Sequence, residues 1–277
     1  MSATESAAGA SRPVVVDDPA PGVRRITLNR PWTLNAMNVD LVEGLYEALD
    51  EVEADRSCRV VLLTGSGRGF CSGLDLGGYG SPRGHEGRGP VQAGFAIQQQ
   101  IAGLIPRMRR LHQPIIAAVN GPATGGGLAL VLGSDIRIAS ASARFSAAFI
   151  RIGLSACDIG TSWSLPRIVG AGRAHELMLT GRIIDATEAE RIGLVLEVVA
   201  DDALVDRVLQ EADLIMLNTP MGVHMTKEVM WSALEIPGQQ AAIDMENRTQ
   251  LLVAQTADQT EGATAFLQRR PPRYEDR

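Results

Sequence analysis

The run PIIAAVNGPATGGGLALVLG, Pro114 to Gly133, constrains this chain more than any other. Ile115–Val119 is an unbroken apolar stretch between Pro114 and Asn120-Gly121, which reads as a strongly buried strand. Gly125, Gly126 and Gly127 follow, and then a short apolar helix over Leu128–Leu132. Glycines at a helix start let the main chain come close to a neighbour because no Cβ intrudes. Their N–H groups have no partner within the helix, and the helix dipole adds positive potential there. Two readings follow: tight helix–sheet packing, or a pair of N–H groups that receives an oxyanion.

Strands and helices alternate through the first two thirds. A strand fits Gly22–Asn29 and another fits Arg59–Leu63. Between them, Asn38 stands where a helix N-cap would be. Leu41, Leu45, Leu49 and Val52 then trace one apolar face. Residues 77–90 are rich in Gly, Pro and Arg and read as a loop, followed by a helix whose face runs from Ile97 to Leu111. Strands fit Ile136–Ala139, Arg144–Ala147 and Leu194–Val199, and Thr187 with Glu190 suggests a capping box. The expected organisation is a tail over 1–13, an α/β core over 14–200, and a helical region over 201–277.

Several familiar chemistries do not fit. Gly65–Gly69 lacks the dinucleotide spacing, and Gly121–Gly127 lacks the Lys-Ser/Thr pair of a triphosphate loop. His175-Glu176 opens like a zinc-protease motif, but Leu179 stands where the second ligand is needed. No G-x-S-x-G elbow occurs, and the four His residues are widely separated. No metal site is expected. With 26 basic and 32 acidic residues the net charge is −6, which argues against nucleic acid as a partner. No apolar run approaches the roughly 20 residues needed to span a membrane, so no membrane partner is expected. Cys58, Cys71 and Cys157 show no close pairing, which suits reduced thiols in a cytoplasmic protein.

The Pro114–Ser140 segment resembles the signature of the crotonase (enoyl-CoA hydratase/isomerase) family. GFCSGLDL, Gly69–Leu76, resembles the family's other half-site. LNRPWTLNAMN resembles its N-terminal coenzyme A segment, and GRAHELMLTGRIIDATEAERIGLV its downstream block. EGATAFLQRRPPRY resembles its C-terminal tail. The resemblance runs from about residue 14 onward. It implies a spiral of ββα turns with a C-terminal helical region, assembled as a homotrimer or dimer of trimers. The substrate would be an acyl-CoA thioester, with coenzyme A as part of it and no prosthetic group. Its carbonyl oxygen would be held by the N–H groups of Leu74 and Gly126. Ser72 and Leu76 would offer main-chain contacts to coenzyme A, Leu34 and Ala36 would line the same groove, and Arg30 would either reach a phosphate or lie solvated.

The chain departs from the family's hydratases, which carry two glutamates. Their places are taken here by Ala129 and Phe149, neither of which can move a proton. Asp158 lies where some relatives keep a single acid, and the run D-I-G-T-S-W-S-L is similar to a dehalogenase nucleophile segment. That chemistry also needs a His on the preceding long helix, and Ala102 stands there. Asp158 then suits a double-bond shift, with Phe149, Ile159 and Trp163 expected beside it. The other reading is that Asp158 caps the helix starting near Thr161. At the level of the whole chain, the alternatives are a degenerate acyl-CoA-binding protein and a hydratase with non-standard acids.

Overall fold

A computed structural model describes residues 12–82 and 87–277. The chain begins with β1 (Val14–Ala20) and β2 (Val23–Leu28), then α1 (Val39–Ala54), β3 (Val60–Gly65) and α2 (Pro90–Arg110). Next come β4 (Ile115–Val119), β5 (Pro122–Thr124), α3 (Gly126–Gly133), β6 (Ile136–Ser140) and β7 (Arg144–Ser146). They are followed by α4 (Thr161–Val169), α5 (Ala171–Thr180), β8 (Ile184–Asp185), α6 (Ala186–Arg191) and β9 (Glu197–Val199). The helices α7 (Leu204–Met216), α8 (Pro220–Ala233), α9 (Gln239–Val253) and α10 (Ala257–Gln268) complete the described chain.

Six strands form the larger sheet in the order β1-β2-β3-β4-β6-β9, parallel except for the β1–β2 pair. A smaller sheet has the order β5-β7-β8. Cys71 extends it through a parallel bridge to Ala123. The fold is therefore a spiral: each turn lays one strand in the large sheet, one segment in the small sheet, and then a helix. Segments β3, Cys71 and α2 make one turn, and β4, β5 and α3 the next.

The strand period explains the two cores. Val61 and Leu63 of β3 and Ile115, Ala117 and Val119 of β4 face α1, α2 and α3. Their neighbours Val60, Leu62, Ile116 and Ala118 face the other way and are covered by Leu204, Val208 and Ala212 of α7. A strand buried on both faces must be apolar throughout, which is why Ile115–Val119 is unbroken. The first helix after residue 200 thus belongs to the sheet's packing.

Several local expectations need correction. β1 went unread because Asp17, Asp18 and Pro19 interrupt it; it is an edge strand with a bulge, where Pro is tolerated. α2 starts at Pro90 instead of near Ile97, with Pro in the first turn where its missing N–H costs nothing. Of Leu194–Val199, only the last three residues pair as β9. Helix α6 is capped by Asp185, whose side chain accepts from the Glu188 N–H, and not by Thr187. The expected tail lies mostly outside the described residues, but Pro13 is already tied, its carbonyl accepting the Asn29 N–H at 2.7 Å. His85, in the 77–90 loop, also lies outside them.

Helix α8 is fastened to the core by Lys227, the chain's single lysine. Its ammonium donates to the carbonyls of Met108 (3.0 Å) and Gln113 (2.8 Å) and pairs with Asp135 at 2.9 Å. Asp135 also accepts from the Ile115 N–H and the Trp231 indole, both at 2.7 Å. Asp135, between α3 and β6, is thus a structural acid. No helix among the described residues is long and apolar enough to cross a membrane.

Candidate active site

The segment Phe70–Asp75 runs between two partners. On one side, the Cys71 N–H donates to the Pro122 carbonyl and the Thr124 N–H donates to the Cys71 carbonyl, both at 3.0 Å. On the other, the Met37 N–H donates to the Gly73 carbonyl (2.7 Å) and the Asp75 N–H to the Met37 carbonyl (2.9 Å). In such a parallel bridge the residue between the two contacts turns its own N–H away from the partner strand. That residue is Leu74, so its N–H faces the side of β5 and α3. Gly126 opens α3, where the first N–H groups have no partner inside the helix. Among the described residues neither N–H has an acceptor.

Glycine makes this approach possible. A Cβ at Gly127 would lie 2.0 Å from the Cys71 carbonyl oxygen, and one at Gly73 would lie 3.3 Å from the Gly126 nitrogen. Gly125 adopts φ 53° at the helix start, with the Phe149 ring beside it. So the triple glycine serves both readings at once: the tight packing is what brings the two free N–H groups to one place.

Leu74 and Gly126 line a cavity of about 230 Å³ together with Asp158. Much of the remaining wall is apolar, including Met37, Ile101, Phe149 and Ile159. Asp158 is the one ionisable side chain in that lining among the described residues. Its Oδ1 accepts from the Ile159 N–H at 2.8 Å and from the side chain of Gln98 on α2. Ile159 holds φ 47°, an outlier for a β-branched residue and of the kind that clusters at functional sites. The capping role is excluded: Gly160 precedes α4, with no side-chain cap, and only the Asp158 main-chain carbonyl meets the Thr161 N–H.

Other expected site residues fall differently. Ser72 and Leu76 line the cavity, and the Leu76 side chain is 71% exposed at its mouth. The Ser72 N–H, however, is spent on the Leu34 carbonyl at 3.0 Å, and the Ser72 carbonyl accepts the Thr124 hydroxyl at 2.8 Å. Met37 lines this cavity, whereas Leu34 and Ala36, expected along the coenzyme A groove, do not. Arg30 needs the clearest correction. Its guanidinium donates to the Ala36 carbonyl (2.6 Å) and pairs with Asp75 (3.0 Å), so it neither lies solvated nor points freely at a phosphate. It ties the two half-site loops together, an attraction that outweighs hydration because both side chains are largely covered.

Trp163 is also absent from the cavity. It stacks between Arg109 and Arg167, whose guanidinium carbons lie 4.5 and 4.0 Å from its ring centre. Ala129 is 1% exposed within the core, and Phe149 lines the cavity. Residues that the sequence reading passed over are Gln98, and Asn35 with Asn120 as loop staples. Asn35 donates to the carbonyls of Ser66 (3.0 Å) and Gly69 (2.8 Å), and Asn120 to those of Gly65 (2.8 Å) and Gly67 (3.0 Å). Both stand inside the quoted motifs, which was the available signal.

Residues 19–277 match the family described as enoyl-CoA hydratase/isomerase. A protein of Mycobacterium bovis named a probable enoyl-CoA hydratase is 44% identical over 264 residues, 95% of this chain and 93% of that one. The crystal structure of a probable enoyl-CoA hydratase/isomerase from Mycobacterium abscessus superposes with a TM-score of 0.90 at 38% identity, covering 96% of this chain and 99% of that one. A monofunctional enoyl-CoA isomerase from M. smegmatis is 42% identical, with a TM-score of 0.72 over 84% of this chain and 99% of that one.

Proposed function

The chain belongs to the enoyl-CoA hydratase/isomerase family, and we propose that it moves a double bond in fatty acyl-CoA thioesters with Asp158 as its single acid and base. One observation carries this reading: among the described residues, Asp158 alone supplies an ionisable side chain to the cavity that Leu74 and Gly126 also line.

The steps follow from that placement. A 3-enoyl thioester enters with its carbonyl oxygen at the N–H groups of Leu74 and Gly126. The Asp158 carboxylate takes a proton from C2, and the electron pair moves onto the carbonyl oxygen as a dienolate. Donors already aimed at that oxygen stabilise the growing charge, each by about 3 kcal/mol on the usual mutational scale. The protonated Asp158 returns the proton at C4, the double bond settles between C2 and C3, and the carbonyl re-forms. Atoms balance, and no prosthetic group is needed.

The relatives' names include both hydratase and isomerase. Positions 129 and 149 favour the isomerase, because Ala and Phe cannot position and deprotonate water. In the same reading, the coenzyme A portion of the intact thioester extends past the exposed Leu76. The protein works in the cytoplasm as a homotrimer or dimer of trimers, with the exposed Leu251, Leu252, Phe266 and Leu267 of α9 and α10 available for subunit contacts.

The test is to offer purified protein a 3-enoyl-CoA and, separately, a 2-enoyl-CoA in water, with mass spectrometry of the products. Double-bond migration without hydration is expected. Rapid hydration of the 2-enoyl thioester would overturn the single-carboxylate route, and binding without turnover would leave only an acyl-CoA-binding protein.

A further inference from the structure

Resting on the isomerase reading, we infer that Gln98 is a positioning residue that fixes which oxygen of Asp158 carries the proton. The Gln98 amide N–H and the Ile159 main-chain N–H both donate to Oδ1. Among the described residues Oδ2 receives no donor. A carboxylate turns freely about its Cβ–Cγ bond, and its two oxygens are otherwise equivalent. Two donors on one oxygen remove that equivalence and hold the rotor. Oδ2 is left as the oxygen open to substrate, and a 1,3 shift needs one oxygen to serve both C2 and C4.

The two donors come from different elements, and this gives Gln98 its importance. Ile159 belongs to the same loop as Asp158 and moves with it. Gln98 belongs to α2, so its bond sets the loop against the wall of the cavity, which Gln98 also lines. The next turns of α2 are well anchored. The Gln100 carbonyl accepts the Tyr46 hydroxyl, and the Gln100 side chain accepts the Tyr79 hydroxyl, both at 2.8 Å. Ile101 is buried one turn on from Gln98. A side chain reaching from a fixed helix to a mobile rotor is how an acid–base group is kept aligned with its substrate.

The experiment compares the parent with Gln98→Leu and Gln98→Glu, using 3-hexenoyl-CoA and following kcat, KM and the pH profile. Gln98→Leu removes the donor, and kcat should fall about tenfold with KM nearly unchanged, as for an interaction that matters mainly in the reacting complex. Gln98→Glu keeps the shape, but its carboxyl can donate only while the two acids share one proton. Its kcat should hold at low pH and turn down as pH rises, in a limb the parent lacks. Gln98 is exposed, so both variants should keep the parent's melting temperature. A Gln98→Leu enzyme with the parent's kcat overturns the inference, as does a Gln98→Glu profile parallel to the parent's. Asp158→Asn separates the two ideas: if it retains turnover, the isomerase reading itself fails, whereas loss of turnover there with an unchanged Gln98→Leu enzyme sinks only the role of Gln98.

Discussion

Met37 and Leu74 are partners in an isolated parallel bridge, and that pairing turns the Leu74 N–H away from Met37, to the side on which the Phe70–Asp75 segment meets β5. The donor is main chain, so the Leu74 side chain, partly exposed, is dispensable to it. Leu74→Ala should keep kcat within about threefold, because no donor is lost. Asp158→Asn should lower it by roughly 10²–10⁴-fold, the usual contribution of a positioned acid–base group, with acyl-CoA affinity retained. Steady-state kinetics and calorimetric titration with a saturated acyl-CoA check both halves.

Neighbouring glycines should differ sharply. A Cβ at Gly126 meets the Met37 sulfur at 2.9 Å, the end of a flexible side chain that can shift. At Gly127 it meets the Cys71 carbonyl at 2.0 Å, which is main chain and cannot. Gly127→Ala should therefore cost about 3 kcal/mol or more, and Gly126→Ala about 1 kcal/mol, within the range for overpacked cores. Urea denaturation of the two variants gives the comparison directly.

The Lys227–Asp135 pair is buried, with side-chain exposures of 4% and 8%. Burial pushes the Lys227 pKa down, and Asp135 partly opposes this. Removing one partner strands the other: Asp135→Asn should cost roughly 3–5 kcal/mol. Combining it with Lys227→Met should recover part of that loss. A double variant no more stable than Asp135→Asn alone would assign the cost to the hydrogen bonds of Ile115 and Trp231.

Asp55 governs part of the acid stability. The hydrogen bond from Arg24, followed by those from Ser57, lowers its pKa from 3.8 to about 2. A carboxylate held below its unfolded value stabilises the fold above that value and loses the effect as pH falls toward its folded one. The contribution is thus complete above about pH 4 and gone near pH 2. It is small, because water reaches the pair. Urea midpoints between those limits should fall less steeply for Asp55→Asn than for the parent.

Much of this was legible in the chain. Ile115–Val119 was read to the residue because a strand covered on both faces leaves no room for a polar side chain. Asn38 was read as an N-cap, and its side chain accepts the Leu41 N–H at 3.1 Å. The motifs single out Leu74, Gly126 and Asp158, and all three line one cavity. The failures share a cause. Gln98 lies 60 residues from Asp158, within a run of glutamines with no local pattern to single one out. Arg30 finds Asp75 across 45 residues. Trp163 is near Asp158 in sequence, yet α4 turns it toward two arginines. Pairings made by topology leave no periodic trace.

The contact between Gly127 and the Cys71 carbonyl bears on how such an enzyme can change its trade. On the reading proposed above, the grip on the substrate is written in peptide groups, which survive nearly any exchange of side chain. In that reading, what is done to the gripped molecule depends on a few side chains in the same cavity wall, at 98, 149 and 158. A descendant can thus acquire a different reaction through a handful of substitutions while inheriting its hold on the thioester intact.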